Sequence, residues 1–224
     1  AELRSERAIH YIAGMTTYLT DDVKLTTEIY QKDLKDLNVK TDRTSNLRKN
    51  VGTGYARGVD FGLVKKFVDR WYGQVNYSYS ISKRDDRDGT GEYNSDFSQP
   101  HIFNILLGYE LNKEWSFSTK WKYATGRPKD SYIIHANVFN NPAMMRYSKE
   151  ITSNNTDRLP AFHTWNIRVD YRKQFGNLAL VAFLDILNMY DRLNVNEERF
   201  IETSGQSESK GFKMIPSFGM KLEF

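Results

Sequence analysis

The sequence contains no cysteine and only 5 prolines among its 224 residues. Without cysteine there is neither a disulfide framework nor a thiolate metal site, and the composition carries no mark of redox compartment. Nowhere does an apolar run reach the ~18 residues that a transmembrane helix needs, which excludes a helical span. Residues 1–7, with four charges and a serine, lack the apolar core of a signal peptide. The 32 Lys and Arg exceed the 28 Asp and Glu by only four and are scattered, so no nucleic-acid footprint is expected. A mean hydropathy of -0.65 would suit a water-soluble domain. It equally suits a β-barrel, whose strands are greasy on one face and wet on the other.

What is present is alternation, heavily aromatic at 14%. At the end of the chain Phe212, Met214, Pro216, Phe218, Met220, Leu222 and Phe224 are apolar at every second position, with Lys213, Ser217, Gly219, Lys221 and Glu223 among the residues between. A period of two over this length is a strand with one apolar face, and it runs to an aromatic last residue. The spacing of Ser217, Gly219, Leu222 and Phe224 resembles the β-signal of bacterial outer-membrane barrels: polar, any, Gly, any, any, hydrophobic, any, aromatic. That resemblance implies reading by the barrel-assembly machinery during insertion.

Eight further segments alternate in the same way: residues 6–19, 23–34, 55–66, 71–82, 101–111, 115 to about 125, 162–175 and 178–190. The fourth is the clearest, with Trp71, Val75, Tyr77, Tyr79 and Ile81 set against Tyr72, Gln74, Asn76, Ser78, Ser80 and Ser82. The seventh sets Trp165, Ile167, Val169 and Tyr171 against Asn166, Arg168, Asp170 and Arg172. Connections after the odd segments are expected to be turns of two to four residues, including a four-residue turn at 67–70 and a Gly176-Asn177 hairpin turn. Those after the even segments are long. Soluble sandwiches have no reason to sort their loops, whereas outer-membrane barrels have short periplasmic turns and long extracellular loops. The expected fold is therefore all-β, a transmembrane antiparallel β-barrel of which about nine strands are present. Nine is odd, and with Phe224 at the periplasmic side the first strand starts outside, so residues 1–224 read as the carboxy-terminal segment of a larger barrel.

No catalytic constellation stands out, and no enzyme activity, cofactor or metal site is expected. Of the four histidines, His10, His101 and His163 fall in strands, and His135 has no second ligand at metal spacing. The long segment 129–157 holds the aromatics and amides of a ligand-binding loop, with Tyr132, His135, Asn137 and Arg146 as candidates beside Phe139, Asn140, Asn141 and Met144. Such loops also cap barrels or contact lipopolysaccharide. Trp71, Trp115, Tyr123 and Trp165 share the apolar register and are expected at the headgroup level. Arg168, Asp170 and Arg172 are expected to face the lumen.

Leu3-Arg4-Ser5-Glu6-Arg7, Glu28-Ile29-Tyr30-Gln31-Lys32-Asp33-Leu34, Gly54-Tyr55-Ala56-Arg57-Gly58-Val59-Asp60-Phe61, Tyr123-Ala124-Thr125-Gly126-Arg127-Pro128, Arg158-Leu159-Pro160 and Phe183-Leu184-Asp185-Ile186-Leu187-Asn188-Met189-Tyr190, in this order, resemble the carboxy-terminal part of TonB-dependent outer-membrane receptors. The resemblance implies a 22-stranded barrel filled by an amino-terminal plug that this chain lacks, and import of a siderophore, cobalamin or glycan ligand with energy passed through TonB. It also implies the bacterial outer membrane as location. The implied partners are membrane lipid and lipopolysaccharide, the rest of the barrel and plug, and TonB through that plug. A passive porin-like channel, or a barrel fragment held by the assembly machinery through its β-signal, are the alternatives.

Overall fold

The computed structural model describes residues 3–40, 47–137 and 145–224. Nine strands form one antiparallel sheet in chain order: β1 (Arg7–Tyr18), β2 (Val23–Val39), β3 (Lys49–Val68), β4 (Trp71–Asp85), β6 (His101–Glu110), β7 (Trp115–Ala124), β10 (Phe162–Phe175), β11 (Leu178–Leu187) and β14 (Ile215–Glu223). A two-residue strand, β5 (Tyr93–Asn94), pairs with β4 beside this path. Two separate hairpins, β8 (Pro128–Asn137) with β9 (Arg146–Arg158) and β12 (Asn194–Ile201) with β13 (Gln206–Phe212), occupy the two longest connections. Each of these nine strands pairs with the next of the nine along the chain, leaving β1 and β14 as the edges of the sheet.

Because directly opposed residues share a face, the register settles which side each residue takes. One row runs Leu25, Leu63, Val75, Ile105, Trp121, Trp165 across six strands, and another runs Phe117, Val169, Leu184, Phe218. The opposite face carries rows such as Thr16, Thr26, Gly62, Asn76, Asn104, Lys122, Thr164. The apolar residues are left exposed: Phe218 is 81% and Met220 76% accessible. In water such a surface would aggregate; hydrocarbon is the solvent it matches.

Along β4 the apolar register runs from Trp71 to Ile81 before Lys83. Ten steps at roughly 3.3 Å, tilted by ~40°, give a belt about 25 Å tall, the height of an outer-membrane apolar band. Charges on this face stand at its ends, Arg57 and Lys83 above, Lys65 and Lys173 below. At the lower end the Lys65 ammonium lies 4.4 Å over the Trp71 ring and 2.7 Å from Asp22, while Trp115 meets Tyr171 with ring centroids 4.6 Å apart. Trp71 and Trp115 thus mark the lower girdle and Tyr123 and Trp165 the upper part of the belt, all four in the apolar register.

The inward face neutralises much of its own charge. Arg168 bridges Asp170 at 2.7 Å and lies 3.9 Å from Asp185, Arg172 meets Glu223 at 2.7 Å, and the Ser78 hydroxyl donates to Asp60. Arg168, Asp170 and Arg172 are therefore inward-facing, as their register predicts.

Four differences from the sequence expectations have physical causes. The turn after β3 spans residues 69–70 alone, because Asp69 (φ 55°) and Arg70 (φ 71°) both take the left-handed conformation of a tight type I′ hairpin. Arg70→Gly is expected to raise unfolding free energy by about 1 kcal/mol by removing that strain, measured by urea titration of the complete barrel. Strands β2 and β3 continue well past residues 34 and 55, held by ladder bonds above the belt, where lipid no longer enforces alternation. Phe212 does not begin the last strand. It ends β13, opposite Asn194 and 5.9 Å from the Phe162 ring, and β14 starts only at Ile215. The stretches 129–157 and 191–209 hold paired strands where plain loops were expected.

Candidate functional site

All four short turns, at residues 19–22, 69–70, 111–114 and 176–177, lie at one end of the sheet, together with Phe224. The long connections lie at the other end. There the hairpins β8–β9 and β12–β13 stand side by side. The Tyr147 amide donates to the Glu202 carbonyl (2.7 Å), the Lys129 ammonium meets Glu198 (2.6 Å), and the Tyr132 hydroxyl bonds Ser207 (2.8 Å) with its ring edge-on to Phe200. Between them is a crevice of about 340 Å³ lined by Lys129, Asp130, Tyr132, Lys149, Glu198 and Phe200 among others. The Lys149 ammonium sits 5.2 Å over the Tyr132 ring. The crevice thus combines two cations, carboxylates and two aromatic rings, suited to a polar ligand with flat or anionic groups.

Asn155 fastens this wall to the loop after β4. It is buried, with φ 51°; its side-chain amide donates to the Asn94 carbonyl (2.9 Å) and Asp96 (2.8 Å), and its carbonyl accepts from Asn94 Nδ2 (2.9 Å). Nearby, burial first and then its hydrogen bond to Asp86 push the Tyr93 hydroxyl well above the ordinary phenol range, so it stays a neutral donor.

The foot of the β8–β9 hairpin explains two of the sequence motifs. Arg158 donates through Nη1 to the Ser98 carbonyl (2.6 Å) and the Gly126 carbonyl (3.0 Å), and the Leu159 amide donates to the Arg127 carbonyl (2.9 Å). Any Cβ at Gly126 would collide with the Leu159 carbonyl, so the two segments can cross only with glycine there. A second knot lies at the top of β11. Asn188 and Asn194 are 0% and 1% exposed; Asn188 Nδ2 donates to the Arg192 carbonyl (2.7 Å), its amide to Asn166 (3.0 Å), and Asn194 Oδ1 accepts from the His163 amide (3.0 Å).

Of the four loop candidates, only Tyr132 lines the crevice. His135 bonds Glu150 (2.7 Å), Asn137 bonds Ser148 (3.2 Å), and Arg146 pairs opposite Asn137, farther along the hairpin. Phe139, Asn140, Asn141 and Met144 lie outside the described residues. The sequence reading missed Lys129, Lys149, Asn155, Glu198 and Phe200, because what brings them together is the side-by-side packing of two hairpins separated in the chain by β10 and β11. Among the described residues no cluster of histidine and acidic side chains could hold a metal ion.

At the far edge, Ser217 pairs opposite Asp185 on the inward face, Leu222 stands on the outward face, and Leu222 and Phe224 are both exposed. Gly219 lies beneath the Phe183 ring, which in turn carries the Arg168 guanidinium 4.2 Å from its centroid.

A sheet with one apolar belt of membrane height, one polar face and connections sorted by length defines the wall of a transmembrane β-barrel. More narrowly, the chain belongs to the family described as TonB dependent receptor-like, beta-barrel, whose model matches residues 1–189. Members of that family are barrels of the Gram-negative outer membrane, and the family is one of receptors and transporters, not an enzyme class. Among solved structures, the siderophore receptor PiuA from Acinetobacter baumannii superimposes with a TM-score of 0.67 at 16% identity, over 96% of this chain and 28% of its own. The ferric-catecholate import receptor Fiu from E. coli K12 gives 0.65 at 13%, covering 99% and 28%. The ferric yersiniabactin uptake receptor FyuA from Yersinia pestis gives 0.62 at 14%, covering 98% and 30%. At these identities the likeness is one of fold, and the chain spans under a third of each. No curated protein sequence matches the chain.

Proposed function

We propose that this chain is the carboxy-terminal segment of an outer-membrane receptor that imports a scarce ligand of the siderophore, cobalamin or glycan class with energy transmitted by TonB. The observation that carries the reading is the sorting of a 25 Å-class apolar belt, a polar inner wall and all long connections to separate places on one sheet. In this reading the short turns are periplasmic, the crevice end is extracellular, and the inner wall faces a plug that contacts TonB. The crevice around Lys129, Tyr132, Lys149 and Phe200 is the ligand-facing surface, with His135, Asn137 and Arg146 reaching beyond it. Ser217, Gly219, Leu222 and Phe224 are read by the barrel-assembly machinery.

The test uses the complete polypeptide in cells starved of iron, cobalamin or glycan in turn. Tyr132→Ala combined with Lys149→Ala is expected to weaken ligand binding about 10- to 100-fold, the equivalent of about 1.4–2.8 kcal/mol, with surface abundance unchanged. Uptake that survives removal of residues 129–157 sinks the assignment of the crevice. Steady ion conductance by the complete protein in planar bilayers, with no ligand or TonB requirement, would instead establish an open channel.

A further inference from the structure

The inward wall does not pair all of its charges. Lys120 and Lys122, successive inward residues of β7, stand opposite Leu106 and Asn104 on β6 and opposite Asn166 and Thr164 on β10. The next inward residues toward the loop end on those two strands, Ile102 and Phe162, are apolar. Among the described residues neither lysine has a carboxylate within ion-pair distance, whereas Arg168 and Arg172 on β10 each have one. Lys122 is half-buried. A compact ammonium with only neutral neighbours in its sheet favours an anion brought from outside it.

The Lys122 ammonium lies 5.5 Å from the centroid of the Phe162 ring. Both residues line a cavity of about 120 Å³, together with Gln99, Arg127, Leu159 and Asn196, and no carboxylate is among its lining residues. Gln99 Nε2 donates to the Thr125 carbonyl (2.7 Å) and the Arg127 guanidinium stands 5.6 Å over the Phe97 ring, which leaves Lys122 as the uncommitted charge. Leu159 and Asn196 also line the crevice between the hairpins, so the two spaces adjoin. Their charges are opposite. The crevice sets two cations, Lys129 and Lys149, against four carboxylates, Asp96, Asp130, Glu197 and Glu198. An anionic group arriving from the loop end is therefore repelled by the crevice and attracted one step deeper.

We propose that the cavity at Lys122 is an oxyanion subsite, taking a carboxylate or phosphate group of the cargo while the rest of the cargo occupies the crevice, with Lys120 drawing the same group onward along the wall. Its use by a cargo rests on the import reading; the cavity and its charge do not.

The complete polypeptide is purified in an uncharged detergent with its lysines carrying isotope-labelled methyl groups, a change that keeps their charge. The Lys122 resonance, identified by its loss in Lys122→Gln, is followed by nuclear magnetic resonance as malonate or inorganic phosphate is added. Lys122 is expected to bind one of the two about ten-fold more tightly than Lys113, which lies in a turn at the opposite end of the sheet. The anion bound more tightly names the cargo group. Asn196→Asp, a change at an exposed position that adds a carboxylate to the cavity lining, is expected to remove the preference. A Lys122 resonance that responds no more than that of Lys113, as it would if another carboxylate of the polypeptide already sat there, overturns the proposal. So does a preference that survives Asn196→Asp. The import reading fails differently. Open-channel conductance in planar bilayers overturns the use of the subsite by a cargo, with the titration still deciding the subsite; a protein that imports but shows no preference at Lys122 loses the subsite alone.

Discussion

Asn188→Ala is expected to lower the unfolding free energy of the complete barrel by about 2–5 kcal/mol. Two separable losses make up the figure. Asn188 sits at φ 55°, a conformation that costs an ordinary L-residue about 1–2 kcal/mol and that asparagine tolerates better. Its side-chain amide also satisfies the Arg192 carbonyl in a site closed to water, and orphaning that group costs about 1–3 kcal/mol. Asn188→Gly removes only the second term, since glycine takes the backbone angle freely. The comparison is made by urea titration and by the temperature at which the folded band disappears on electrophoresis. If alanine and glycine variants both lose less than about 1 kcal/mol, the knot above β11 is not structural in the sense argued.

Gly219→Val is the second large effect, expected to reduce stability by about 1–3 kcal/mol and assembled barrel in proportion. A Cβ on residue 219 would lie 2.5 Å from Phe183 Cε1, so the ring must leave its seat beneath Arg168. This is an aromatic covering a strand glycine on the neighbouring strand. Because Gly219 also falls within the proposed assembly signal, a defect alone cannot separate recognition from packing. Pairing Gly219→Val with Phe183→Ala does. Recovery of folded barrel in the double variant identifies packing as the cause, and no recovery with a normal in vitro refolding yield assigns it to recognition.

Membrane strands were readable because hydrocarbon on one side and water on the other force a two-residue period. Trp71 to Ser82 and Trp165 to Arg172 show it without interruption, and their faces stand in the structure as the alternation implies. The same physics erased the signal above the belt. Lys129–Asn137 and Arg146–Arg158 pair as a hairpin with water on several sides, so charged and apolar residues follow no strict order, and the segment read as a loop. Phe212 misled for a related reason: its parity matches that of β14, yet Lys213 and Met214 interrupt the ladder and its ring turns toward Phe162. The candidate site was legible only at Tyr132. Its partners Glu198, Phe200 and Ser207 lie 66 to 75 residues away along the chain, a proximity that no local pattern encodes.

The clamp of Arg158 on the Ser98 and Gly126 carbonyls is only one of two supports of the β8–β9 hairpin; the other is the Tyr147 amide, which ties the outer part to the Glu202 carbonyl. A beam held at two points bends far less than one fixed at a single end. Tyr132 is four residues from Pro128, roughly 13 Å along the strand, whereas Ala136, opposite Tyr147, is eight residues out, roughly 26 Å. Tyr132 therefore sits between the supports. In the proposed reading a cargo would meet a braced wall there, and cutting the outer brace should loosen its grip without touching a single residue of the crevice.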